Sequence, residues 1–119
     1  MKARAVAKYI KGSPQKARLV IDLIRGRSVN DALAMLKTSG KRAAKPIEIT
    51  LRSAIANAEQ RADQLNVAID VDRLKISTAT VDLGPTKFRR RVRPAPMGRA
   101  YRERRWQNHI TIEVESDKE

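Results

Sequence analysis

Apolar side chains along this chain repeat first every second residue, then with the period of a helix, then every second residue again. From Lys2 to Lys11, Ala3, Ala5, Ala7 and Tyr9 alternate with Arg4, Val6, Lys8 and Ile10, which predicts a first strand. Ser13-Pro14 then marks a helix start, with Ser at the N-cap and Pro at the first helical position. Ala17, Val20, Ile21 and Ile24 follow at i, i+3, i+4 and i+7, and Gly26 supplies the stop. Leu19 and Leu23 are expected to widen this apolar face, with Arg18, Asp22 and Arg25 opposite it. A second helix is expected from Ser28, with Asp31 three residues on, with Val29, Ala32, Leu33 and Leu36 as its apolar face and Gly40 at its end. The third and longest runs from about Lys41 to Leu65 on Ala44, Ile47, Leu51, Ala54, Ile55, Ala58, Ala62 and Leu65. Pro46 interrupts it, and an interior proline costs roughly 3 kcal/mol. Either the helix proper begins at Pro46 after a separate turn, or it kinks there.

After Asp70 the period returns to two. Leu74 and Ile76 share one parity while Ala79 and Val81 share the other, which predicts a bulge near Ser77–Thr78. Ile110, Ile112 and Val114 alternate with His109, Thr111, Glu113 and Glu115. The fold class expected is α+β, with three helices packed on a small antiparallel three-stranded sheet. The last two strands flank a long intervening segment, whose simplest topology is a hairpin with its tip near Arg89–Pro96. From Leu74 to Pro94 an extended chain covers about 65 Å at roughly 3.3 Å per residue. A compact domain of this size is about 35 Å across. A long hairpin must therefore protrude. The organisation expected is one domain over residues 1–119, with a globular body of 1–83 and 101–119 and an extended tip of about 84–100.

Charge gives that protrusion a purpose. Between Gly84 and Arg105 the chain places nine Lys/Arg against the single acid Glu103. Residues 1–29 carry eight cations against Asp22, residues 30–83 are nearly neutral, and the whole chain of 119 residues carries +13. Like charges at this density repel, so a compact fold gains nothing from them. A polyanion accounts for them, and arginine, which dominates the second segment, pairs bidentately with phosphate. The candidate contacts are Lys2, Arg4, Lys8, Lys11, Lys16, Arg18 and Arg25 in the first segment. In the second they are Lys87, Arg89, Arg90, Arg91, Arg93, Arg99, Arg102, Arg104 and Arg105. With 3% aromatic residues the core must rest on Ala, Val, Ile and Leu. There is no cysteine, hence no disulfide or thiolate metal site, which suits a reducing cytosol. No apolar run reaches the length of a membrane span, and no apolar stretch follows the basic N-terminus, which argues against secretion.

Four stretches resemble one family in order and spacing. They are Ser13-Pro14-Gln15-Lys16-Ala17-Arg18-Leu19-Val20-Ile21-Asp22-Leu23-Ile24-Arg25-Gly26, Ser53-Ala54-Ile55-Ala56-Asn57-Ala58-Glu59, Asp82-Leu83-Gly84-Pro85 and Gly98-Arg99-Ala100. Together they resemble the family of large-subunit ribosomal protein number twenty-two, over nearly the whole chain. The resemblance implies three helices on a small antiparallel sheet and a long hairpin reaching into large-subunit ribosomal RNA. It also implies a body near the mouth of the polypeptide exit tunnel, with Arg91, Val92, Arg93 and Pro94 facing the tunnel. Lys16, Arg18, the cations from Lys87 to Arg93, and Arg99 would contact RNA by the same resemblance. The implied partners are large-subunit ribosomal RNA, neighbouring ribosomal proteins and the nascent polypeptide, with no membrane and no cofactor; the implied location is the cytoplasmic ribosome. Before Gly98 this chain reads Arg93-Pro94-Ala95-Pro96-Met97, where members commonly read Arg-Pro-Arg-Ala.

Other residues carry a bland reading beside a sharp one. Phe88 and Met97 either meet bases or a nascent chain, or anchor the hairpin. Tyr101 and Trp106 are expected to pack on the body rather than stack on RNA. Asn57 either ties down a neighbouring segment or hydrogen-bonds RNA. His109 is the only histidine and lacks the companions that catalysis or metal binding needs, and Asp70-Val71-Asp72 reads as a turn. The rival of another class is a DNA-bending architectural protein with a basic β-arm. A ribonuclease lacks its acid–base pair, and a membrane-active peptide lacks an amphipathic basic helix.

Overall fold

A computed structural model of the chain describes residues 2–66, 68, 70–85, 90–94, 96–104 and 106–116, with 90–93 and 100–104 described by their backbone. The order is β1 (Lys2–Lys11), α1 (Pro14–Ile24), α2 (Val29–Thr38), α3 (Ala44–Leu65), β2 (Leu74–Leu83), β3 (Arg90–Pro94), β4 (Ala100–Arg104) and β5 (Gln107–Ser116). β1, β5 and β2 form an antiparallel sheet in that order, and β3 pairs antiparallel with β4 in a second, two-stranded sheet. The expected α+β architecture is therefore present.

The inner face of the larger sheet is Ala3, Ala5, Leu74, Ile76, Ala79, Val81, Ile110, Ile112 and Val114, all buried. The parity change in β2 is a register shift between Ile76 and Thr78, as the spacing predicts, and it keeps both halves of the strand facing the core. β1 departs from its expected alternation. A second register shift, between Ala7 and Ile10, turns Tyr9 outward at a φ of 60° and brings Ile10 against the core. The Tyr9 N–H donates to Nδ1 of His109 at 3.2 Å, and the two rings meet edge-on at 5.1 Å. The lone histidine thus holds the bulge of its neighbouring strand.

α1 buries Pro14, Ala17, Val20, Ile21 and Ile24. Leu19 and Leu23 do not widen that face; they remain 54% and 50% exposed. At about 100° per residue they fall on the far side of the helix from the stripe of Ala17, Val20, Ile21 and Ile24. Gly26 ends the helix at a φ of 80°, a conformation that costs a residue with a Cβ roughly 1–2 kcal/mol. In α2 the Ser28 hydroxyl accepts from the Asp31 N–H at 3.3 Å, and Val29, Ala32 and Leu36 are buried. In α3 the proline question resolves simply. The Ala44 N–H donates to the Lys41 carbonyl at 3.1 Å, the helix begins at Ala44, and Pro46 falls in its first turn. A first-turn N–H has no partner within the helix, so proline costs little there. Ile47, Leu51, Ala54, Ala58 and Ala62 pack inward. Ile55 is half-buried at the margin of this stripe and Leu65 is exposed at the last turn. Thr50 takes a buried place instead, its hydroxyl donating to the Pro46 carbonyl at 2.8 Å.

The molecule measures 67 × 28 × 16 Å with a radius of gyration of 17.8 Å. A compact chain of this length has a radius of about 13–14 Å. The excess is the projecting ribbon of β3 and β4.

Candidate nucleic-acid interface

The arm leaves the sheet between its edge strand β2 and its central strand β5. β2 ends at Leu83 opposite Asn108, and the Gly84 N–H donates to the Gln107 carbonyl at 2.8 Å. Gly84 is buried here, and a Cβ on it would stand 3.2 Å from both the Gln107 Cβ and its carbonyl oxygen. Gly84→Val should therefore weaken the root by about 1–3 kcal/mol through overpacking, with Gly84→Ala milder. Denaturant midpoints measure this, and an unchanged midpoint for the valine variant would contradict the close packing.

Beyond the root the ladder resumes with Arg90 opposite Arg104, Arg91 opposite Glu103, Val92 opposite Arg102, Arg93 opposite Tyr101 and Pro94 opposite Ala100. Directly opposed residues share a face of the ribbon. By register, Arg90, Val92 and Pro94 stand on one face with Arg104, Arg102 and Ala100. The other takes Arg91 and Arg93 with Tyr101 and Glu103. The turn lies farther along than the sequence suggests. Met97 and Gly98 stand at φ values of 60° and 72°, and the Arg99 N–H reaches the Pro96 carbonyl at 3.4 Å. Glycine makes this the cheapest point for the left-handed backbone a tight hairpin needs. Met97 projects from it, 96% exposed, and Arg99 is exposed beside it. Lys87, Phe88, Arg89 and Arg105 lie outside the described residues.

The fold brings the two basic segments together. Lys11 pairs with Gln107 and Ile10 with Asn108 in the β1–β5 ladder. The Gly12 N–H donates to the Trp106 carbonyl at 3.1 Å. Lys11 and the start of α1, with exposed Lys16 in its first turn, thus border the root of the arm. Arg4 and Lys8 are exposed along the same strand, and Lys2 is 3.8 Å from Glu113. Trp106, expected to pack on the body, leaves 43% of its surface exposed.

Two of the candidate cations have other work. Arg18 donates from Nε and Nη2 to the Val81 carbonyl at 3.2 and 3.0 Å. Arg25 donates from Nε and Nη2 to the Ala79 carbonyl at 3.2 and 2.7 Å, and from Nη1 to Asp22 at 2.8 Å. On the opposite edge of the sheet, Asn57 Nδ2 donates to the Arg4 carbonyl at 2.9 Å and Arg61 Nη1 to the Lys2 carbonyl at 3.0 Å. Asn57 therefore ties α3 to β1, the structural alternative of the two open to it. Both edges of the sheet are occupied by helix side chains, which blocks strand addition there. Asp70 accepts from the Asp72 N–H at 3.0 Å, and Asp72 accepts from Asn30 at 2.9 Å, so this pair closes a turn. No cluster of His, Cys, Asp or Glu among the described residues could hold a metal ion.

Residues 5–115 match the family described as Ribosomal protein L22p/L17e. A protein of Solibacter usitatus named Large ribosomal subunit protein uL22 is 53% identical over 114 residues, covering 96% of each chain. A protein of the same name from Halothermothrix orenii is 50% identical over 119 residues, covering 100% of this chain and 99% of the relative. One from Desulfitobacterium hafniense is 44% identical over 117 residues, covering 98% and 96% respectively.

Proposed function

This chain belongs to the ribosomal protein L22p/L17e family, a structural and non-enzymatic constituent of the large ribosomal subunit, and we propose that it binds and organises large-subunit ribosomal RNA, with its arm contributing to the polypeptide exit tunnel wall. Its place is the ribosome, which in bacteria is cytoplasmic. The observation that carries the reading is the arm itself, the paired strands β3 and β4 within a segment that holds nine cations and one acid between Gly84 and Arg105, in a molecule 67 Å long. A bare ribbon of two strands is marginal in water. Packed RNA supplies both the anions and the walls that would hold it.

In this reading the phosphate contacts come from Lys2, Arg4, Lys8, Lys11 and Lys16 on the body. The arm adds Lys87, Arg89, Arg90, Arg91, Arg93, Arg99, Arg102, Arg104 and Arg105. Arg91, Val92, Arg93 and Pro94 lead to the turn and border the tunnel, where a nascent chain would pass them. Neighbouring ribosomal proteins are the remaining partners. Among the described residues no helix is long and apolar enough to cross a membrane.

A tagged copy should sediment with large subunits and whole ribosomes, leaving little at the top of the gradient. A mainly free or chromosome-bound pool in growing cells would overturn the assignment, the latter in favour of DNA bending. For the RNA contact itself, isolated large-subunit RNA that engages about half of these cations at once, roughly seven, gives a log–log salt slope of roughly −5 to −6. Replacing Arg90, Arg102 and Arg104 by Gln should flatten it by about two to three. An unchanged slope would mean that this face of the ribbon does not touch phosphate.

A further inference from the structure

We infer that Arg18 and Arg25 are positioning residues for the arm: they lock the outer edge of β2 and set the direction in which the ribbon leaves the body. The purpose of that direction rests on the RNA-binding reading above; the geometry does not. β2 is an edge strand, so alternate carbonyls point away from the sheet. Water could satisfy them at no structural gain. Instead the Val81 and Ala79 carbonyls each accept two donors from one guanidinium, at 2.7–3.2 Å. Just upstream, the Gly26 N–H donates to the Ile76 carbonyl at 3.2 Å and the Ile76 N–H to the Arg27 carbonyl at 3.0 Å. From Ile76 to Val81 the edge is thus fastened to α1 and the loop after it, ending three residues before the Gly84 root.

The two arginines sit seven residues apart and so share one side of α1. At about 100° per residue that side borders the buried stripe rather than opposing it. A rigid planar fork holds a carbonyl in a fixed orientation, which a lysine's single rotating ammonium does not. Arg25 also shares its charge with Asp22, which leaves it less available to phosphate. Each hydrogen bond is modest alone, so losing one fork loosens the strand without unfolding the domain.

The absence of cysteine makes the test clean. Spin labels at Ala34→Cys, exposed on α2, and Met97→Cys, at the tip, report the body-to-tip distance distribution by pulsed dipolar spectroscopy. The Arg18→Gln and Arg25→Gln variants should each roughly double its width. The Arg18→Lys variant keeps the charge and loses the fork; it should also broaden the distribution while leaving the salt slope on large-subunit RNA unchanged. A narrow distribution in all three variants overturns the inference. A narrow distribution with the slope flattened by about 0.7–0.9 in Arg18→Gln makes Arg18 a phosphate ligand instead. Should Arg18→Gln not fold, Arg18→Lys decides. If the parent itself shows no RNA binding, the functional reading falls while the label distances still judge the positioning role.

Discussion

Excising Thr86–Arg105 and rejoining Pro85 to Trp106 through Asn-Gly leaves a domain that melts within about 5 °C of the parent yet binds large-subunit RNA about 10²–10³-fold more weakly. Nine cations leave with the segment. No apolar side chain of the buried core leaves with it, since among the described residues that core stops at Val81 and resumes at Ile110. The last rung, Gly84 to Gln107, remains, and a short turn there replaces the arm. Both strands must go, because β4 deprived of β3 would present an unpaired basic edge. Calorimetry and filter binding at one fixed salt concentration check the two halves of the result. A cooperative transition lost along with the arm would show the ribbon to be part of the folding unit.

Leu51→Asp should do the reverse, abolishing cooperative melting and, with it, RNA binding. Leu51 is fully buried in the middle of α3, between Ile47 and Ala54 and against the sheet. Truncation to alanine would cost about 2–5 kcal/mol from lost contacts and residual cavity. Aspartate adds an unpaired carboxylate in the same apolar place, and the sum approaches the whole stability of about 5–15 kcal/mol expected for a domain. The better target is Leu51 rather than Ile55, because half-buried Ile55 lets a carboxylate turn toward water. Circular dichroism against denaturant measures both substitutions, with Leu51→Ala as the intermediate case. A Leu51→Asp protein that still melts sharply near the parent temperature would contradict the packing of α3 on the sheet.

Element identity and inward-facing residues could be read from the sequence wherever local periodicity and local chemistry agreed. The Ser13-Pro14 start, the Ser28 cap, the parity change in β2 and the alternation of Ile110, Ile112 and Val114 all depend on neighbours within a few residues. The arm could be read for a different reason: a charge density that no core can use, spread over more chain than a compact domain can hold.

What tertiary structure decided is whatever depends on a partner distant in sequence. The bulge that expels Tyr9 is held by His109 across the sheet, one hundred residues away. Leu19 and Leu23 are apolar and well spaced, yet the sheet approaches α1 from the other side. Arg18 and Arg25 count as surface cations until the edge of β2 arrives beside them, where a carbonyl at 3 Å outweighs solvent for a guanidinium with donors to spare. The junction of the two basic segments at Gln107 likewise exists only once β1 has paired with β5. Sequence alone determined that this protein carries a basic arm on an α+β body; the sheet's edges and register, which bring together residues many positions apart, decided that Arg18 and Arg25 are tied to backbone carbonyls while Lys8, Lys11 and Lys16 stand exposed.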